Sequence, residues 1–376
     1  MAKDNLKKEP LMRIVKRTKN STISNKMAVI VRVVAILLAL VVCGIFIFVL
    51  TKTNPIKVYY GMIEGAMGTN RRVWNTLRDT MILLAVSLAI TPAFKMKFWN
   101  IGAEGQILVG GIATAAVMRY MGATMNGPGL FAVMIVVSIV AGMVWGIIPA
   151  IFKAQYNTNE TLFTLMMNYI AIQLTSYFCI VWEAVKGSGT IGTINQETRN
   201  GWISTSFLGN IFGQFNYSIN VILVIILMVV MAYYLKKTKQ GYEIAVVGES
   251  ENTARYAGIN VKKVIIRTMA ISGALCGLTG FLLVSGSSHT ISTNTAGGRG
   301  FTAIIVSWLA KFNPYMMLLI SLFLVFLDNG AVQIASQYGL NESASEVMTG
   351  IVLFFLIGCE FFLNYRVVFR GKHEEA

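Results

Sequence analysis

Charge and histidine are both scarce in this 376-residue chain: 13% of residues are Asp, Glu, Lys or Arg, and two are His. Together with 55% hydrophobic residues and a mean hydropathy of +0.63, that scarcity excludes an ordinary soluble domain. Cysteine is sparse as well. Cys43, Cys179, Cys276 and Cys359 each fall in an apolar run and none has C-x-x-C spacing, so neither a disulfide framework nor a metal centre is expected. A P-loop is missing, because the one Gly-Lys pair, Gly371-Lys372, is followed by His373. The chain is therefore not expected to hydrolyse ATP by itself. No G-x-S-x-G elbow and no H-E-x-x-H helix occurs, and no cofactor is expected.

What remains is a series of runs free of Asp, Glu, Lys and Arg: 33–51, 80–94, 105–118, 120–152, 161–182, 200–235, 268–298, 300–310, 312–327 and 347–359. A spanning helix needs about 20 mostly apolar residues. The runs predict an all-α polytopic membrane protein with about ten transmembrane helices, the shorter ones tilted, broken or interior to the bundle. Nine Lys and Arg in the first 32 residues hold the N-terminus in the cytosol. Threading ten spans from there gives a basic cytosolic tail at 1–32, a transmembrane domain at 33–364 with a cytosolic loop at 236–263, and a cytosolic tail at 365–376. The segment 51–78, which carries Lys52, Lys57, Arg71, Arg72 and Arg78, runs against this orientation and is read as an interfacial helix. The first apolar run has no small-residue cleavage site after it and is read as an uncleaved helix. The net charge of +15 suits a multi-pass cell-membrane protein whose cytosolic loops face anionic lipid, and no nucleic-acid partner is expected.

Two stretches interrupt the apolar pattern. In "FWNIGAEGQILVGG", Phe98 to Gly111, Asn100 and Glu104 share a helix face beside Gln106. A carboxylate near the bilayer centre costs about 2.5 to 3.5 kcal/mol, so Glu104 should either tie helices together or line a path. Trp99, beside Lys97, suits the cytosolic interface. The second stretch is the loop from Lys236 to Lys263, expected to hold a short helix capped by Ser250 or Asn252 and stopped by Gly258, presenting Ala254 and Ala257 as a small face and Tyr256 as an aromatic one. A further polar opening stands at Gly297 to Ala310. Pairing it with the one near Asn100 implies an offset of five spans and an inverted 5+5 repeat. The pairs Gly142/Gly146 and Gly273/Gly277 are spaced for close helix packing. His289 is read as a solvated loop residue, and Asp328 and Glu346 as groups that could meet a receptor or Arg299.

"NIGAEGQ" at 100–106, "AVVGESENTARYAGINVKKV" at 245–264 and "ISGALCGLTGFLL" at 271–283, in this order, resemble the permease subunit of ATP-binding-cassette importers of the ribose and branched-chain amino acid type, and most of all the nucleoside permeases served by basic-membrane-protein-type lipoproteins. The resemblance implies a type II importer-like fold, cytosolic ATP-binding subunits, a second permease chain, identical or paralogous, and an extracellular solute-binding lipoprotein meeting loops 184–216 and 286–299. It also makes Gly248, Glu249, Ala254, Arg255, Tyr256, Ala257, Gly258 and Ile259 the ATPase-coupling positions, with a departure from the family pattern at Ser250 to Thr253. A nucleoside path needs stacking surfaces and amide or hydroxyl partners. Trp99, Asn100, Glu104, Gln106, Asn168, Tyr169, Gln173 and Asn329 are the candidates. A simple sugar such as ribose is the alternative cargo; an ion-coupled transporter using Glu104 and Asp328, or a membrane anchor, are the alternative classes.

Overall fold

The computed structural model describes residues 12–16, 25–52, 54–125, 127–203, 217–339 and 342–369. The outer part of the basic N-terminal tail, residues 204–216 of the expected receptor loop, and residues 370–376 of the C-terminal tail lie outside them. Among the described residues the regular elements are helices apart from one antiparallel strand pair, β1 (Met12–Lys16) and β2 (Tyr365–Phe369), which joins two segments expected as plain tails. Met12 stands opposite Phe369 and Lys16 opposite Tyr365.

The chain divides into two compact units. The first comprises Met1–Ala66 and Leu327–Ala376 and holds α1 (Asn25–Thr51), α2 (Pro55–Met67) and α13 (Glu342–Asn364). Arg32 of α1 pairs with Glu360 of α13, and Tyr59 of α2 donates its hydroxyl hydrogen to the Leu40 carbonyl. α2 occupies the segment read as an interfacial helix.

The second unit, Met67–Phe326, contains α3 (Asn70–Lys95), α4 (Ala103–Met121), α5 (Pro128–Tyr156), α6 (Glu160–Val181), α7 (Ser218–Lys237), α8 (Lys239–Glu249), α9 (Glu251–Tyr256), α10 (Val261–Leu283) and α11 (Arg299–Leu309). The division between units falls inside α12 (Pro314–Gln337). At the centre lies α3, in which every residue from Thr80 to Phe94 is buried. That explains why the charge-free run at 80–94 is too short to span: the helix starts ten residues earlier and takes Arg71, Arg72, Arg78 and Asp79 into its first half. Its interior hydroxyls are satisfied locally, Thr80 on Thr76, Ser87 on Leu83 and Thr91 on Ser87, each bonding the carbonyl four residues back.

Glycine sets how closely α4, α5 and α10 approach. A Cβ on Gly142 of α5 would meet the Gly273 carbonyl of α10, one on Gly277 would meet the Ser138 carbonyl, and one on Gly110 of α4 would lie 2.5 Å from the Gly277 Cα. The Gly142/Gly146 and Gly273/Gly277 pairs thus pack against each other. α10 continues into a five-residue π-helical turn, Val284–Ser288.

Among the described residues, eight helices are long and apolar enough to cross a membrane: α1, α3, α5, α6, α7, α10 with its π turn, α12 and α13. The other two expected spans, 105–118 and 300–310, coincide with α4 and α11, the two helices with polar openings. The string Gly187–Gly192 spells G-x-G-x-x-G, but it follows helix α6 and opens no helix, so its glycines, each at positive φ, serve turns rather than a phosphate.

His289 is not a solvated loop residue. Its ring stacks on Trp202 at 3.9 Å and 5°, its carbonyl accepts from Ile194 N–H, and burial pushes its pKa below the ordinary imidazole value. Around it the segment 194–203 is stitched down by Trp202 Nε1 to the Ile194 carbonyl, Ile203 N–H to the Ser285 carbonyl and Ser285 Oγ to the Gly201 carbonyl.

Candidate functional site

After Lys95 the chain turns through Met96 to Gly102 before α4 begins. Asn100 organises that turn. Its Oδ1 accepts from Gly102 N–H at 3.1 Å and Gln106 Nε2 at 3.3 Å, while its Nδ2 donates to Ser272 Oγ at 3.1 Å and Gln106 Oε1 at 3.4 Å. From α6, Asn168 reaches the start of α4 with both ends of its amide: Gly105 N–H donates to Oδ1 at 2.8 Å and Nδ2 donates to the Ile101 carbonyl at 2.8 Å. Thr164 Oγ1 accepts from Ile101 N–H at 3.2 Å. The first turn of a helix leaves backbone N–H groups without partners, and these side chains answer that need in a buried place.

Glu104 makes the link to α11. Its Oε1 accepts from Gly298 N–H at 2.7 Å and its Oε2 from Gly300 N–H at 2.8 Å, so one carboxylate in the first turn of α4 caps the start of α11. A Cβ on Gly300 would stand 2.7 Å from Glu104 Oε2, which leaves glycine as the residue that lets the two helix starts meet. Backbone N–H groups at the start of α11 thus engage both oxygens of one side chain in the first turn of α4.

Between Glu104's two contacts lies Arg299, whose Nη2 is 3.5 Å from Asp79 Oδ1. Asp79 is held by Arg78 at 3.0 Å, and the Arg78 guanidinium sits 5.0 Å over the Tyr217 ring with Nη1 3.2 Å from its hydroxyl. Sequence reasoning missed Arg78, Asp79 and Tyr217 as members of this network. The signal was the charge pair at the edge of a short apolar run, which reads as a helix end when each charge is taken as a boundary.

Of the eight path candidates, Asn100, Glu104, Gln106 and Asn168 are brought together and buried. Tyr169, 58% exposed, and Gln173 are exposed on α6 away from that cluster. Asn329 belongs to the first unit. Trp99 is 45% exposed and stacks on Trp308 of α11 at 5.7 Å and 21°.

The loop at 236–263 folds as α8 and α9. Ser250 Oγ accepts from Thr253 N–H and caps α9, and Gly258, at φ +75°, closes it. Ala254 differs from expectation: it is fully buried against Ile244, Val247 and Val261, because the short helix needs an apolar anchor on its own chain, so it does not form an outward small face. Glu249, Arg255, Tyr256 and Ala257 are exposed, with Tyr256 at 93%, and Ile259 is half-buried, its N–H donating to the Ala254 carbonyl. Gly248 packs on the Lys95 carbonyl, which seats α8 directly under the end of α3.

Residues 72–357 match the family described as branched-chain amino acid transport system / permease component. The chain belongs to this permease family. It is a transport component of the membrane, multi-pass by its own apolar helices, and the family implies partner ATP-binding subunits. Among curated relatives, the permease resembles the guanosine ABC transporter permease protein NupP of Bacillus subtilis, 29% identical over 87% of this chain and 92% of the relative. The nucleoside ABC transporter permease protein NupB of Lactococcus lactis is 27% identical over 83% of this chain and 86% of its own length. The glucose ABC transporter permease protein TsgB13 of Haloferax volcanii is 28% identical over 89% and 88%. No solved structure matches the chain.

Proposed function

We propose that this permease passes nucleosides into the cell by alternating access, driven by two ATP-binding subunits that dock on α9, with a second permease chain across the path and an extracellular solute-binding lipoprotein delivering the cargo. Both termini lie in the cytosol in this reading. The similarity to guanosine and nucleoside permeases along most of the chain carries the choice of cargo. The glucose permease relative keeps a simple sugar as the second reading.

The route for the power stroke follows α3. Its Lys95 end rests on Gly248 of the coupling segment, and its Asp79 end, 16 residues or about 24 Å away, holds Arg299 at the head of α11. Docking of ATPase subunits on Tyr256 and its neighbours then moves one buried rod whose far end bears on the Glu104 clasp. Engagement of both Glu104 oxygens by backbone N–H groups speaks for a clasp between path-lining helices rather than an ion-coupling carboxylate.

The test is radiolabelled uptake by cells carrying this chain with its ATPase and receptor, comparing guanosine, uridine and ribose, alongside Gly258→Arg. Nucleoside uptake lost in the variant supports cargo and coupling together. Ribose uptake moves the cargo to sugar, and uptake that persists without the ATPase overturns the ATP-driven reading.

A further inference from the structure

The short helix α11 is built inside out with respect to size. It buries Ala303, Val306, Ser307 and Ala310 and turns Phe301, 45% exposed, and Trp308, 47% exposed, outward. Phe301 and Trp308 are seven residues apart and so share a face. Trp308 is also one of four rings in contact. It stacks on Trp99, Phe94 meets Trp99 edge-on at 5.7 Å and Trp308 at 6.5 Å, and Phe312 meets Trp308 at 5.4 Å. The two indoles come from the two helices with polar openings, Trp99 from the turn before α4 and Trp308 from the last turn of α11, and Glu104 joins the starts of those helices. Phe94 meets both indoles edge-on and Phe312 packs against Trp308 alone, while both indoles keep nearly half of their surface exposed.

We propose that the Trp99–Trp308 pair is a stacking station for the nucleobase as it passes α11, an assignment that rests on the nucleoside reading. A stacked pair of indoles offers a flat face to a third ring, and the neighbouring phenyl rings limit how far the pair can turn, which lowers the cost of ordering it. Stacking tolerates any base, since every base has a π face. A carrier of several nucleosides needs that property, whereas a sugar gains far less from it. The buried amides of Asn100 and Gln106 are spent on each other and on Ser272, so shape and stacking, not edge reading, are what this end of the permease offers a base. Trp and Tyr also gather at membrane–water interfaces as anchors, and the experiment separates the two roles.

Guanosine and uridine uptake would be measured in cells carrying the whole importer with Trp308→Phe, Trp308→Leu or Trp308→Ala, each normalised to the amount of permease in the membrane, with the same series at Trp99. Loss of one stacking surface should lower guanosine uptake about tenfold in the Leu and Ala variants, and uridine uptake less because its ring is smaller. Trp308→Phe should recover most of the guanosine uptake. Normalised uptake equal in Trp308→Leu and Trp308→Phe, or equal losses for guanosine and uridine, overturns the station while wild-type guanosine uptake keeps the nucleoside reading. A wild-type importer that takes up ribose but neither nucleoside removes both.

Discussion

Glu104 uses its two oxygens on two different backbone N–H groups, and that geometry can be tested one atom at a time. Glu104→Gln keeps the shape but offers one acceptor and an amide donor, so either Gly298 or Gly300 N–H is left facing another N–H in a buried site. An unsatisfied buried group costs about 1–3 kcal/mol, so the variant should unfold at a lower temperature in a fluorescence melt and transport less. A wild-type melting temperature in Glu104→Gln would contradict the clasp. His289 gives a residue-scale prediction with a pH axis. Its pKa is lowered in the fold, so the unfolded chain takes up the proton first as pH falls below about 6.5. The stability of the 194–203 segment is intact above that pH and declines on the acid side. His289→Phe, which keeps a ring to stack on Trp202, should flatten that decline in melts taken from pH 7 to pH 5; an unchanged slope would assign it to other groups. Neither residue's contacts were legible in the sequence. Glu104 stood out as an acid in an apolar run, but its partners are nearly 200 residues away, and His289 looked like a loop residue because the stacking partner comes from another loop.

Among the elements, the packing of α4, α5 and α10 was the most readable. Small residues four apart in two apolar runs imply close helix approach, and Gly142, Gly146, Gly273 and Gly277 do face one another. Gly277→Ala places a Cβ on the Ser138 carbonyl and 3.1 Å from the Gly142 Cα, both backbone atoms that cannot swing away. Overpacking of this kind costs about 1–3 kcal/mol, and the variant should show a lower melting temperature, whereas Gly350→Ala on α13, with open space around its Cβ, should melt like the wild type. Similar melting temperatures for the two variants would mean the interface has slack. The start of α3 was misread for a definable reason: counting uncharged residues ends a span at Arg78 and Asp79, whereas Asp79 pairs with both Arg78 and Arg299 inside the helix assembly. Ala254 was misplaced because a six-residue helix shows too little periodicity to tell its inward face from its outward one. Ser250 and Gly258 were legible, since capping and left-handed closure depend on the local residue alone.

At the scale of the whole molecule, the helical membrane class followed from composition, and the family from three ordered motifs, while the path residues divided. Four of eight candidates form one buried cluster; the others lie elsewhere because polarity in an apolar run does not say which neighbour it meets. In the proposed coupling α9 is a handle: its inner side, Ala254, is buried in the fold, and its outer side, Tyr256, is exposed for an ATP-binding subunit to dock on. Tyr256→Ala should therefore leave stability within about 0.5 kcal/mol, as for other exposed positions, yet weaken binding of the ATP-binding subunits in pull-downs. The most direct test of the central claim is ATP-dependent uptake of radiolabelled guanosine into proteoliposomes holding the permease, its ATP-binding subunits and the solute-binding protein, with wild-type chain and Tyr256→Ala side by side. The account predicts uptake that needs ATP and falls at least tenfold in the variant while its melting temperature stays put. Guanosine entry at the same rate without ATP, or undiminished in Tyr256→Ala, would contradict it.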